Sequence, residues 1–116
     1  MARILSVSYD SSLLATRQVI LEAVGHEVVS ACGFKEALEE CERSGKFDLF
    51  ILGHSIPRNH KQDLIVAFRS RCPAPIIALT RPDEVSVQGA DFQIEPEELL
   101  LAVAHALPSE LQASES

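Results

Sequence analysis

The sequence has no long hydrophobic run. Its longest apolar stretches, residues 49–52 and 99–104, fall far short of the roughly 20 residues that a membrane-spanning helix needs. No basic-then-apolar leader opens the chain, so no export signal is expected and the expected location is cytoplasmic. Cysteine is scarce: Cys32, Cys41 and Cys72 are odd in number, widely spaced and without a CxxC pair. That excludes a disulfide scaffold and points to reduced thiols. No close pair of histidines or cysteines suggests a zinc site, so no metal is expected. Basic residues are outnumbered, 10 against 17 acids for a net charge of −7, and they form no run. Nucleic-acid affinity comes largely from Lys and Arg on phosphates, so neither nucleic acid nor an anionic membrane surface is an expected partner. The motifs GxGxxG, GxxxxGKS/T and GxSxG are all missing, which removes the usual nucleotide loops and the hydrolase nucleophile elbow. No cofactor and no enzymatic activity are expected.

What is present is one ordinary domain. A chain of 116 residues, 47% of them hydrophobic, can build a single core. The domain is expected over residues 1–107, with a polar, frayed tail at 108–116. Strand and helix signals alternate. Residues 3–8 carry Ile4, Leu5 and Val7. Asp10, Ser11 and Ser12 are N-cap types, and the helix after them has apolar Leu13, Leu14, Val19, Ile20, Leu21 and Val24. Gly25 stands where a C-terminal cap belongs. Val28 and Val29 mark a second strand. Phe34, Ala37, Leu38 and Cys41 recur at i, i+3, i+4 and i+7, one stripe of an amphipathic helix that ends at Gly45. Residues 47–52 are the most continuous apolar run, expected as a central strand covered on both faces. Leu64, Ile65 and Phe68 mark a third helix, residues 76–79 a fourth strand and residues 92–94 a fifth. Pro96, Glu97 and Glu98 resemble the first turn of a final helix, residues 96–107. This alternation predicts an α/β fold, a parallel sheet with helices on both faces. In such sheets the chemistry sits beyond the carboxyl ends of the strands, here at residues 8–11, 53–57, 80–81 and 95–96.

Those four segments resemble the receiver domain of two-component response regulators. DLFILGHSIP is similar to the family's third strand and following loop, including Pro57. PIIALT ends in the family's hydroxyl position, Thr80. GADFQIEP resembles the family's GAD…KP ending and keeps Gly89, Ala90 and Pro96. The resemblance covers residues 3–107. It implies a flavodoxin-like, doubly wound five-stranded parallel sheet in the order 2-1-3-4-5. It also implies phosphoryl transfer from a phosphohistidine to an aspartate, with Mg²⁺ on acidic ligands and a lysine and a hydroxyl on the transferred group. This sequence departs from that set. The phosphoacceptor position falls on Gly53, which has no side chain. The acidic pocket falls on Ser8 and Tyr9, with Asp10 just beyond. The lysine position falls on Glu95, while Thr80 and Phe92 match the hydroxyl and switch-aromatic positions. The stretch between Thr80 and Gly89 contains Pro82 and is too short for the family's fourth helix, which is expected to be shortened or missing.

No neighbour replaces the acceptor. Asp48 lies roughly 16 Å back along the strand, His54 is expected to point away, and Ser55 has no obvious base. Asp10 is expected to cap the first helix, and Thr80 to bond local backbone. Arg81 and Glu95 could pair across the vacated pocket. Arg58, Asn59, His60 and Lys61 read as a polar loop. The functional expectation is an atypical, stand-alone pseudo-receiver that works by phosphorylation-independent protein–protein contact, through its final helix and residues 81–89, and that can homodimerise. The alternatives are a phosphorelay response regulator, or an adaptor docking a histidine kinase through Arg17, Val19 and Leu21 of the first helix, and a small flavodoxin-like ligand-binding domain or enzyme. The expected partners are thus a histidine kinase or a downstream effector.

Overall fold

Alternation within single strands builds two cores. The computed structural model describes residues 2–44, 46–71, 74–80, 89–95 and 98–106. Strand β3 (Leu49–Leu52) sends Leu49 and Ile51 to one side and Phe50 and Leu52 to the other. Strand β4 (Ile76–Leu79) divides Ile77 and Leu79 from Ile76 and Ala78 in the same way. All eight side chains are buried, as a strand covered on both faces requires. Strands β1 (Arg3–Ser8), β2 (Glu27–Cys32) and β5 (Phe92–Ile94) complete an all-parallel sheet in the order β2-β1-β3-β4-β5. This is the doubly wound order that the resemblance implied.

Helices α1 (Ser11–Ala23) and α4 (Leu99–Ala106) close one core with Leu21, Leu99, Ala102 and Val103. Helices α2 (Phe34–Ser44) and α3 (Arg58–Arg71) close the other with Ala37, Cys41, Leu64 and Phe68. There Phe68 stacks on Phe50 with ring centroids 4.4 Å apart. Asp10 Oδ1 accepts from the backbone N–H of Ser12 at 2.9 Å and of Leu13 at 3.3 Å, which satisfies amides that α1 itself leaves open. The helix ends at Ala23 with Val24 as its C-cap, and Gly25 follows with a φ of +98°, which suits a residue without Cβ.

Three local readings are corrected. The face α1 buries is Leu14, Arg17 and Leu21, while Val19, Ile20 and Val24 are exposed. Arg17 and Leu21 therefore belong to the interior and do not share a docking face with Val19. The third strand starts at Leu49, because Asp48 turns its carboxylate to the amide of Arg3 at 2.8 Å. Arg58, Asn59, His60 and Lys61 are the first turn of α3, which opens with Lys61 N–H on the carbonyl of Pro57 at 2.9 Å. Proline serves there because its missing N–H has no helical partner to lose. The shortened fourth helix (residues 81–88), Arg81 with its pairing to Glu95, Pro96 and the tail (108–116) lie outside the described residues. Among the described residues no helix is long and apolar enough to cross a membrane.

Candidate functional site

The carboxyl ends of β1, β3 and β4 gather the residues singled out in the sequence, and two buried cations with them. Gly53 follows β3, and its N–H donates to the carbonyl of Val7 at 2.8 Å. Its φ is not in the left-handed region, so space rather than backbone conformation demands glycine here. A Cβ at this position would stand 3.0 Å from Arg17 Nη2, 3.1 Å from the Val7 carbonyl oxygen and 3.3 Å from Ser8 Cβ. The guanidinium of Arg17 thus crowds the place where a side chain on residue 53 would begin.

Arg17 reaches this place because α1 packs its Leu14–Arg17–Leu21 stripe onto the sheet. Only 6% of Arg17 is exposed. Its Nη1 donates to Ser6 Oγ at 2.9 Å and to the carbonyl of Val7 at 3.3 Å. Burial lowers its pKa to about 10, so it stays cationic at neutral pH. Lys61 is fully buried on α3 and donates its Nζ to the carbonyl of Leu79 at 2.9 Å, at the end of β4.

Side chains of the chain itself fill the acidic-pocket positions. Ser8 Oγ and Ser55 Oγ are 2.8 Å apart, and Ser55 Oγ also accepts from the amide of Tyr9 at 3.0 Å. The Tyr9 hydroxyl meets His60 Nδ1 at 2.7 Å, and the His60 ring packs between the rings of Tyr9 and Phe34, at 5.8 and 5.2 Å. Burial pushes the Tyr9 phenol above its usual pKa and keeps its proton on. The carboxylate of Asp10 is engaged as the cap of α1.

The remaining positions are dispersed. Thr80 is half-buried and donates its N–H to the carbonyl of Ile94 at 2.8 Å. Phe92 packs on the α1/α4 core. Glu95 is exposed, and its carbonyl accepts from Glu98 N–H at 3.0 Å. The structure therefore brings Ser8, Tyr9 and Gly53 together and leaves the Asp10 and Glu95 carboxylates outside the cluster.

Magnesium does not fit these residues. It needs several hard oxygen ligands carrying negative charge. Ser8 and Tyr9 supply neutral hydroxyls already bonded to Ser55 and His60, and Arg17 adds positive charge. Among the described residues no group of three or more His, Cys, Asp or Glu could hold a metal. A serine-hydrolase arrangement is also unsupported, because Ser55 Oγ bonds Ser8 and Tyr9 while Asp10 caps a helix. Arg17 and Lys61 were missed as site residues. Both were legible, because each stands in a stripe: Leu14–Arg17–Leu21, and Lys61–Leu64–Ile65–Phe68 at i, i+3, i+4 and i+7.

No protein-family model matches the chain, and no curated protein matches it either. Solved structures do. The response regulator TrrA of Thermotoga maritima, in complex with Mg²⁺ and BeF, is 28% identical at a TM-score of 0.77, covering 92% of this chain and 100% of that one. A CheY-like response regulator receiver domain from Methanospirillum hungatei is 27% identical at 0.74, covering 90% and 92%. A receiver domain from Clostridium thermocellum, 23% identical at 0.78 over 91% and 94%, shares the fold. This chain has the fold of response regulator receiver domains. That fold is one of signalling domains in two-component systems.

Proposed function

We infer that this chain is a pseudo-receiver: one cytoplasmic signalling domain over residues 1–107, not an enzyme, that acts by protein–protein contact without accepting phosphate. One observation carries this reading. A side chain beginning at residue 53 would be crowded at once by the Arg17 guanidinium, 3.0 Å from its Cβ. The Ser8–Ser55 and Tyr9–His60 pairs support it, since they close the place of the metal with the chain's own hydroxyls and imidazole. Titration with Mg²⁺ and beryllofluoride, followed by amide NMR, tests it. The amides of Ser8, Gly53 and Thr80 should not move, and saturable shifts there would overturn the reading.

A downstream effector or a second copy would engage α4. Leu100 and Leu101 are exposed there, beside a shallow groove of about 200 Å³ bordered by Phe92, Ile94 and Leu101. Such apolar surface favours a partner. Light scattering should show the mass rising with concentration, and a monomer at all concentrations would remove the homodimer.

A second reading is favoured by α1, which exposes Val19, with Ile20 and Val24 partly exposed at its margin toward α4. Such a face suits docking on a helical bundle. One solved structure, 27% identical over 93% of this chain, is of the kinase ThkA of Thermotoga maritima in complex with TrrA. In this reading the chain is an adaptor that occupies a histidine kinase without taking phosphate. A cognate kinase bundle should lose affinity for the Val19→Glu variant, and unchanged binding would exclude α1 as the docking face.

A further inference from the structure

On the α1/α4 side of the sheet, below His54, lies a groove of about 140 Å³. Its walls are Leu13, Thr16 and Ile20 of α1, His54, Leu79 of β4 and Leu99 of α4, and Arg17 lines it from within. We propose that this groove binds a small organic carboxylate, with the carboxylate on Arg17 and the apolar body between Leu13, Ile20, Leu79 and Leu99.

Two observations select that chemistry. The first is charge. Arg17 is more than nine-tenths buried, yet its partners are the neutral Ser6 hydroxyl and Val7 carbonyl, both on Nη1. Among the described residues, Nε and Nη2 donate to nothing and no carboxylate pairs with the guanidinium. A buried cation without an anion is costly, and burial already lowers its pKa to about 10. The planar fork of Nε and Nη2 matches the two oxygens of a carboxylate. The second is the walls. Besides Thr16 and His54 they include four aliphatic side chains, which would gain from an apolar body and would be wasted on a bare inorganic anion. A volume close to 140 Å³ suits a ligand of roughly benzene size, since an engineered cavity of about 150 Å³ holds benzene. Nothing in this site requires a phosphoacceptor, so it stands apart from the reading of Gly53.

The test uses the full chain with hexanoate as the probe, 1-hexanol as its uncharged counterpart and inorganic phosphate as the bare anion. Amide NMR follows Val7 and Gly53, and side-chain NMR follows Arg17 Nε–H. Hexanoate should give saturable shifts at all three and bind about tenfold or more tightly than hexanol, the ratio a charge-assisted bond supplies. Phosphate should be weaker than hexanoate. The Arg17→Met variant should lose the preference for hexanoate over hexanol. Because that residue is buried, a second variant leaves the core alone: Ile20→Glu sets a carboxylate one helical turn from Arg17 on a partly exposed wall position. It should cut hexanoate affinity about tenfold with an unchanged circular dichroism spectrum. No saturable shift, equal binding of hexanoate and hexanol, phosphate binding as tight as hexanoate, or unchanged affinity in Ile20→Glu would each overturn the proposal.

Discussion

At Gly53 one missing side chain and one intruding cation explain each other. A Cβ there meets Arg17 Nη2, the Val7 carbonyl and Ser8 Cβ at 3.0–3.3 Å, and the last two contacts cannot swing aside. Gly53→Ala gains about 0.4–1 kcal/mol by stiffening the unfolded chain but loses about 1–3 kcal/mol to overpacking. The expected outcome is a net loss of up to about 2.5 kcal/mol in urea unfolding; a stabilised variant would show that the space is open. Tyr9 offers a second check, because it is the sole tyrosine of the chain. Its folded pKa is raised above the ordinary tyrosine value of about 10 by burial. Between the unfolded and folded values the native state holds the proton that the unfolded state has released. Stability should therefore be full below pH 10 and fall as pH rises through the folded pKa. Ultraviolet titration of tyrosinate should place its ionisation at higher pH in the folded chain than in urea, and coincident curves would refute the buried phenol.

The elements divide into those whose pattern left no choice and those where it did. β4 and β5 have the limits read from the sequence, because apolar residues and turn residues alternate sharply there. α1 was ambiguous, since its apolar residues occur on more than one face and apolarity cannot choose among them. The sheet chooses Leu14 and Leu21 and takes the charged Arg17 between them. Likewise the polar run 58–61 read as loop, yet Lys61 heads the buried stripe of α3. In both helices the informative signal was a cation inside an apolar stripe, and it marked the site. The choice made by α1 is testable. Leu21→Ala should cost about 2–5 kcal/mol, whereas Val19→Ala should stay within about 0.5 kcal/mol. Equal costs in thermal unfolding would mean that α1 is rotated.

For the whole molecule, fold and function were legible to different depths. The doubly wound order follows from strand–helix alternation and from the receiver-like segments, and solved receivers match it over nearly the whole chain. The sequence also departs from the receiver set at Ser8, Tyr9, Gly53 and Glu95. The partners of the groups around that site were not legible, because the contacts of Arg17 with Ser6, of Tyr9 with His60 and of Lys61 with Leu79 join segments that only folding brings together. The negative charge of the chain gives the site no carboxylate cluster. Of the two acids nearest the strand ends, Asp10 caps a helix and Glu95 faces solvent. The receiver fold thus carries a buried arginine beside Gly53, and in the proposed reading no phosphate is accepted there. Incubation of the full chain with Mg²⁺ and acetyl phosphate, followed by intact-mass analysis, tests this most directly. The account predicts an unmodified mass at every time point. A stable, stoichiometric phosphoryl adduct would contradict it.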